Sequence, residues 1–574
     1  MLFKDDRFNH YQLSDLKKDF IAGITVGIVA IPLAMAFAIA SGVKPEYGLY
    51  TTIIAGFLVA LIGGSRFQIA GPTGAFIPIL LAIVIQYGYE KLLIAGFLAG
   101  IMLLLMGILK LGNLITYIPR SVTIGFTAGI AVIIFTGQLE NFFGLQNITK
   151  KEYFHENMQE IWSHLHTINI YSLLTATIGL ILIITIPRFS KKAPVLLIAL
   201  LIPTIVATIF YPNEIETIGS KFGGISQSMP SLHLPTLDMQ LIIDLLGPAF
   251  VIAILGGIES LLSAVVADGM TGSRHHSNKE LVGQGVANMV TPLFGGIPAT
   301  GAIARTATNI NSGAVSPLSG IIHSIFILVT ILVLAPFASY IPLASMASIL
   351  MIVAWNMSER KEVMQILKLK NSDSLVLSIT FLLTVFINLT VAVEVGLLLA
   401  MVLFIKRMSH LLEVEKVLPS SEHHGKVSPD PIKAGHRCPQ IMIYTIHGPL
   451  FFGAATKFEQ VLTRNINRKP KVMILRMRHV SMIDATGENQ LRTFIQDFQN
   501  QGGIILLSGL QKDSLELLMK SGLYQKITAN HIFKSTGEAL TYALSIIDRS
   551  VCQKCNYNSF EECASFKKEK IQAK

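Results

Sequence analysis

Charge is the scarcest property of this chain. Asp, Glu, Lys and Arg make up 14% of its 574 residues while 51% are hydrophobic; soluble globular proteins carry about 25% charged residues. With a mean hydropathy of +0.57, the chain has too little charge to cover a soluble surface of its size and reads as an integral membrane protein. It lacks a GxxxxGK[ST] loop, which argues against ATP-driven transport, and it has no receiver, kinase or catalytic constellation. No enzymatic activity and no cofactor are expected. The formal net charge of +10 is too dispersed for a nucleic-acid surface. It falls in short loops, at Arg66, at Lys110, at Arg188 with Lys191 and Lys192, at Arg274 with Lys279, at Arg360 with Lys361, Lys368 and Lys370, and at Lys406 with Arg407. With Lys4, Arg7, Lys17 and Lys18 these mark alternate loops, the pattern of a cytoplasmic face.

Long apolar runs end near residue 408, and the C-terminal remainder has the composition of a soluble domain. The expected division is a cytoplasmic N-terminal segment over 1–19, a transmembrane domain over 20–410, a linker over 411–439, an α/β domain over 440–550 and a cysteine-containing tail over 551–574. Ala36-Phe37-Ala38 has the form of a signal-peptidase site. The run over 20–40 is of spanning length, holds Pro32 and comes after a long polar stretch, which fits a retained first helix.

Twelve ordinary spans are read near 20–40, 47–63, 92–109, 113–137, 170–187, 194–211, 241–267, 280–294, 316–337, 342–356, 374–390 and 392–408. Two more, 68–86 and 297–311, begin with extended backbone rich in Gly and Pro and then become helix-compatible. The total of about fourteen segments is even, which places both termini in the cytoplasm of a multi-pass protein of the cell membrane. The long connections 140–169 and 211–240 then face outward, and the histidines of the first, His155, His164 and His166, read as solvated loop residues.

The stretch 292–314, PLFGGIPATGAIARTATNINSGA, is the most unusual. Lipid tolerates such irregular backbone only where it is buried in protein or lines a watery cavity. Thr300-Gly301-Ala302-Ile303 repeats the form of Thr73-Gly74-Ala75-Phe76, and two interrupted segments at corresponding places in two halves point to a binding site in a transporter. If each helix starts after Thr-Gly-Ala, two N-termini with positive dipole ends oppose one another. An anion between them would be held by Thr73, Gly74, Ala75 and Phe76 on one side and by Ala304, Arg305 and Thr306 on the other, mainly through backbone N–H groups, with the full charge of Arg305 added. Glu259 is the one carboxylate read as deep in a span; it can carry a coupled proton or neutralise Arg305. Asp268 is placed at a helix end, and Asp244 and Glu394 near outer ends.

These residues resemble the SulP family, the bacterial and plant sulfate permeases related to the animal anion exchangers pendrin and prestin. The matching stretches are AIPLAMAFA over 30–38, PEYGLY over 45–50, GGSRFQIAGP over 63–72, Glu259-Ser260-Leu261-Leu262, 268–272, Ser277-Asn278-Lys279-Glu280-Leu281 and 292–314. The resemblance implies fourteen segments in two inverted repeats of seven, divided into core and gate domains in a uracil-permease-like fold, with elevator-like alternating access and a homodimeric state. It also implies that the anion lies between half-helices beginning near Gly74 and Ala304, and that Glu259 is linked to coupling. The sodium-coupled bicarbonate branch tends to have an aspartate at the Glu259 position and a hydroxyl residue where this chain has Ile303. Isoleucine offers a sodium ion only its carbonyl, so proton coupling is preferred.

Beyond the linker, strand-like segments at 441–446, 472–477 and 504–507 alternate with helical ones at 454–465, 486–499, 512–521 and 536–548, the pattern of a small α/β layer fold. The region resembles the STAS domain that ends most SulP proteins. In SMIDATG, over 481–487, Asp484 or Thr486 can cap the following helix. Thr486 stands where related anti-sigma-factor antagonists carry a phosphorylated serine, so it is a candidate for phosphorylation, and the domain for a cytosolic regulator. Cys552, Cys555 and Cys563 form C-x2-C-x7-C on the cytoplasmic side, where disulfides are disfavoured; with Cys438 or a histidine they are weak candidates for zinc ligands.

The function expected is secondary active transport of a small anion, sulfate first, with bicarbonate or a dicarboxylate as alternatives. A nucleobase permease shares the architecture but carries a neutral substrate and lacks a STAS domain. A membrane-tethered signalling protein would need an output motif that the chain does not have.

Overall fold

Segments that cross lipid become helices because every backbone amide must find its partner within the segment. Among the described residues eight helices are long and apolar enough to cross a membrane, and three shorter apolar ones accompany them. In the computed structural model the described residues are 7, 11–113, 118–151, 153–190, 193–227, 232, 239–419, 427–428, 438–466, 470–527, 529–555 and 560. They fall into two units, 1–400 and 401–574. From the N-terminus the helices are α1 (Leu13–Ala40), α2 (Pro45–Ile62), α3 (Ile77–Tyr87), α4 (Tyr89–Ile108), α5 (Arg120–Gly137), the short α6 (Leu139–Phe143) and α7 (Phe154–Ser163), α8 (Ile170–Phe189), α9 (Val195–Phe210) and the short α10 (Ile218–Phe222). Then come α11 (Met239–Thr271), α12 (Ser277–Val290), α13 (Ile303–Asn311), α14 (Leu318–Ala338), α15 (Leu343–Met357), the short α16 (Arg360–Leu369), α17 (Ser372–Phe386) and α18 (Leu389–His410). Setting aside α6, α7, α10 and α16, fourteen of these helices remain among the described residues.

Helices α1, α2, α4, α11, α12, α13 and α14 pack on one another, and α5, α8, α9, α15 and α17 form a second group; the groups meet where α1 touches α9 and α15 and where α3 touches α5. Helices α12 and α13, the least apolar of these fourteen, lie inside the first group. There α12 comes close to α4: a Cβ on Gly100 would lie 2.6 Å from the Met289 amide nitrogen, and one on Gly285 2.5 Å from that of Leu104. Small residues at such crossings let membrane helices approach closely.

Helix α1 starts at Leu13, earlier than the expected 20–40. Asp19, counted with the polar N-terminal segment in the sequence, is fully buried. Its carboxylate accepts from Val315 N (2.7 Å), Ser316 N (3.1 Å) and Ser316 Oγ (2.6 Å), so it fixes the turn between α13 and α14.

The second unit holds a six-stranded sheet in the order β4-β3-β5-β6-β7-β8, with β3 (Glu413–Pro419), β4 (Val427–Ser428), β5 (Ile441–His447), β6 (Val472–His479), β7 (Ile504–Ser508) and β8 (Ile532–Phe533). Strands β5 to β8 are parallel and β3 is antiparallel to β5. Strand periodicity sends alternate residues to opposite faces. Met442, Tyr444, Ile446, Met473, Leu475, Ile505 and Leu507 share one core with Leu491, Phe494, Ile495 and Phe498 of α20 (Ala485–Asn500). Ile441, Ile443, Val472, Ile474 and Leu506 share another with Ala539, Ala543 and Leu544 of α23 (Thr536–Ile546). The remaining helices are α19 (Ala455–Ile466), α21 (Lys512–Lys520), α22 (Leu523–Ile527) and α24 (Arg549–Gln553). Strand β3 lies in the stretch that the sequence reads as linker. Its charges mask the alternation in which Glu413 and Glu415 are exposed and Val414 packs on the core.

Candidate functional site

The two interrupted segments meet. β1 (Ala70–Gly71) and β2 (Thr300–Gly301) form a two-residue antiparallel ladder, with Ala70 opposite Gly301 and Gly71 opposite Thr300. The 3-10 turn Gly74–Phe76 and α3 leave one end of this crossing, forming a continuous apolar helix Gly74–Tyr87, and α13 leaves the other. The local dyad of the ladder relates Ala70 to Thr300 and hence Gly74 to Ala304 and Phe76 to Thr306. The Thr-Gly-Ala tetrapeptides do not obey it: Thr73 corresponds to Ile303, three residues beyond Thr300. The repeat therefore marks the two segments that meet without marking equivalent positions.

Polar side chains hold the crossing from several sides. Ile69 donates its N–H to Thr306 Oγ1 (3.1 Å) and accepts from Ala302 N (2.9 Å). On α11, Ser260 Oγ lies 2.8 Å from Thr300 Oγ1 and accepts from Gly301 N (3.0 Å), while Thr300 Oγ1 donates to Gly256 O (2.9 Å). Asn288 of α12 exchanges two 2.8 Å bonds with the Ala299 backbone, and Asn309 Nδ2 reaches Phe67 O (3.0 Å).

Arg305, 2% exposed, reaches back across the crossing and donates from Nη2 to the Pro72 carbonyl, while Nη1 is buried with no hydrogen-bond partner. A Cβ on Gly71 would lie 2.5 Å from that Nη1, so glycine is what admits the guanidinium. Glu259 accepts from Thr73 Oγ1 at 2.9 Å. Glutamate and arginine are thus engaged with different partners on the same short segment, 72–73.

The helix ends are unequal. Thr73, Gly74, Ala75 and Phe76 are all buried; a Cβ on Gly74 would meet Met357 Sδ at 2.7 Å and Phe37 Cε1 at 3.6 Å. On the other side Ile303 is 38% exposed and Ala304 is exposed. Thr306 N is committed to Ala302 O (2.9 Å), so the amides that α13 leaves outside its own ladder are those of 303–305, one residue earlier than expected. Thr306 serves the site through its hydroxyl, on Ile69.

Sequence reading missed the buried carboxylate of Glu280, which is 0% exposed and which its polar setting in SNKEL disguised as a helix-end residue. It also missed His323 on α14, fully buried with both ring nitrogens unpartnered. Asp268 is a helix-end residue as read: it accepts from His275 N (3.0 Å) and lies 2.7 Å from His275 Nδ1.

In the second unit Asp484 caps α20, accepting from Gly487 N (2.7 Å) and also from Phe452 N (3.0 Å). Thr486 is exposed in the first turn. Cys552 accepts from Gln440 Nε2 (3.3 Å) and Cys438 from Ile441 N (3.3 Å); Cys563 lies outside the described residues. Among the described residues no three His, Cys, Asp or Glu side chains are grouped to hold a metal ion.

Comparison with known proteins agrees with this architecture. The profile of the sulfate permease family matches residues 16–380, and that of the STAS domain residues 436–539. YvdB, a candidate sulfate transporter of Bacillus subtilis (strain 168), is 53% identical over 527 residues, 92% of this chain and 98% of the relative. The transmembrane domain of the cyanobacterial bicarbonate transporter BicA superposes with a TM-score of 0.60 at 32% identity, covering 68% of this chain and 98% of that one. The structure of SLC26A9 shares the fold, with a TM-score of 0.85 at 17% identity over 96% of this chain and 93% of that one. A membrane bundle built on two half-helices, followed by a STAS domain and matched by the family profile over most of its membrane part, identifies the chain as a multi-pass member of the SulP sulfate permease family of anion transporters.

Proposed function

We propose that the protein is a proton-coupled secondary active transporter of sulfate. One observation carries the reading: a buried arginine with a free N–H edge sits at the crossing of two half-helices, beside a glutamate. Positive helix ends and a guanidinium attract an anion, and their mutual alignment needs no metal or cofactor. The anion lies at the α13 end, where Ala304 is exposed, with the 303–305 amides and Arg305 Nη1 as donors and the 73–76 turn as the opposing wall. Met357 of α15 and Phe37 of α1 cover that wall at the boundary between the two helix groups. Movement of the first group past the second, an elevator-type step, would carry the site from one side of the membrane to the other. Homodimerisation, cytoplasmic termini and a regulatory role for the STAS domain, with Thr486 as its phosphorylation site, belong to the same reading.

Bicarbonate is the second reading, favoured by the similarity to BicA. Uptake of radiolabelled sulfate, bicarbonate, succinate and uracil into proteoliposomes, with and without an inward proton gradient, separates them. Sulfate uptake that the gradient stimulates is expected. Sodium-dependent bicarbonate uptake that ignores the gradient would replace the first reading with the second, and uracil uptake without anion flux would refute both.

A further inference from the structure

We propose that Glu280 is a positioning residue: without touching the anion, it anchors the strand crossing and so sets anion affinity. The proposal rests on the transport reading above and adds to it a residue outside the anion's surroundings.

Glu280 lies on α12 and is fully buried. Its Oε2 accepts from Gly64 N (2.8 Å) and Ser65 N (3.1 Å), and its Oε1 from Gln68 Nε2 (3.0 Å) and Gln284 Nε2 (3.1 Å). Four donors match the roughly four lone-pair sites of a carboxylate. His276 N returns a bond to Gly64 O (3.1 Å), so the turn that ends α2 is tied to the start of α12 in both directions.

The link from this anchor to the site is Gln68, two residues before β1. Its Nε2 donates also to Ser260 O (3.0 Å), the residue beside Glu259 that carries the hydroxyl under β2. A Cβ on Gly301 would collide with the Gln68 amide, so this amide lies flat against β2. Glu280 thus fixes Gln68, Gln68 fixes both the approach to β1 and the seat of β2, and the ladder fixes where α13 presents Arg305.

The test is the E280Q variant in the full-length protein. Gln68 Oε1 and Gln284 Oε1 have no partners, so both amides can turn to receive a glutamine at 280. The turn sacrifices the Gln68–Ser260 bond, which is the intended lesion. Gln68→Ala makes the same lesion while leaving Glu280 three of its donors. For both variants the expected result is a KM for sulfate raised about tenfold with Vmax little changed, and faster amide hydrogen exchange over 64–76. Unchanged KM and unchanged exchange in both variants would overturn the proposal. A wild-type protein that moves no sulfate would defeat the transport reading instead, and hydrogen exchange over 64–76 in the same variants would still decide whether Glu280 anchors the crossing.

Discussion

Replacing Arg305 with alanine weakens sulfate binding about ten- to a hundredfold, the range expected for losing hydrogen bonds to a charged group in a buried site. The substitution leaves the Pro72 carbonyl without its donor but keeps α13, whose first-turn amides remain. Binding titrations on purified protein should therefore show weaker affinity rather than an unfolded chain. Arg305→Lys is the informative companion, since it retains charge without the planar fork. If the charge alone draws in the anion, lysine restores most of the affinity. If the geometry of Nη1 matters, lysine resembles alanine. Wild-type affinity in Arg305→Ala would remove Arg305 from the site.

Replacing Glu259 with glutamine separates transport from its driving force. When ionised, Glu259 places a negative charge beside the anion's position and disfavours binding; when protonated it does not. An inward proton gradient then favours loading on the acidic side and release on the other. Each pH unit supplies about 1.4 kcal/mol per coupled proton, or about tenfold accumulation in the absence of a membrane potential. Glu259→Gln fixes the neutral form and can still accept from Thr73 through its carbonyl, so downhill exchange continues while accumulation driven by the gradient disappears. Accumulation that survives the substitution would assign coupling to another group.

The candidate site was legible in the sequence to different depths. Interrupted segments stand out because Gly, Pro, Thr and Asn are out of place in an apolar chain, and Arg305 and Glu259 stand out because charge in a span is costly. Both side chains lie at one crossing, although the tetrapeptide that draws attention to it is offset by three residues from the true dyad. The deeper framework was hidden for a physical reason. Glu280 acts through partners 216 and 215 positions earlier in the chain, and Asp19 through partners 296 and 297 positions later. No local pattern encodes such pairings, and a charged residue near the end of a span looks solvated until the fold encloses it. Strand β3 was obscured differently, by charges on its exposed face, although its alternation was present. The alternating segments after residue 440 were plain because β5, β6 and β7 bury both faces over most of their length while the amphipathic helices between them bury one.

Whether the anion sits against α13 at the strand crossing can be read from anomalous diffraction of crystals soaked in selenate, a heavier isostere of sulfate. A single selenium peak is predicted within hydrogen-bonding distance of Arg305 Nη1 and the 303–305 amides, absent in Arg305→Ala. A peak elsewhere in the membrane unit, or one that persists unchanged without Arg305, would contradict the assignment.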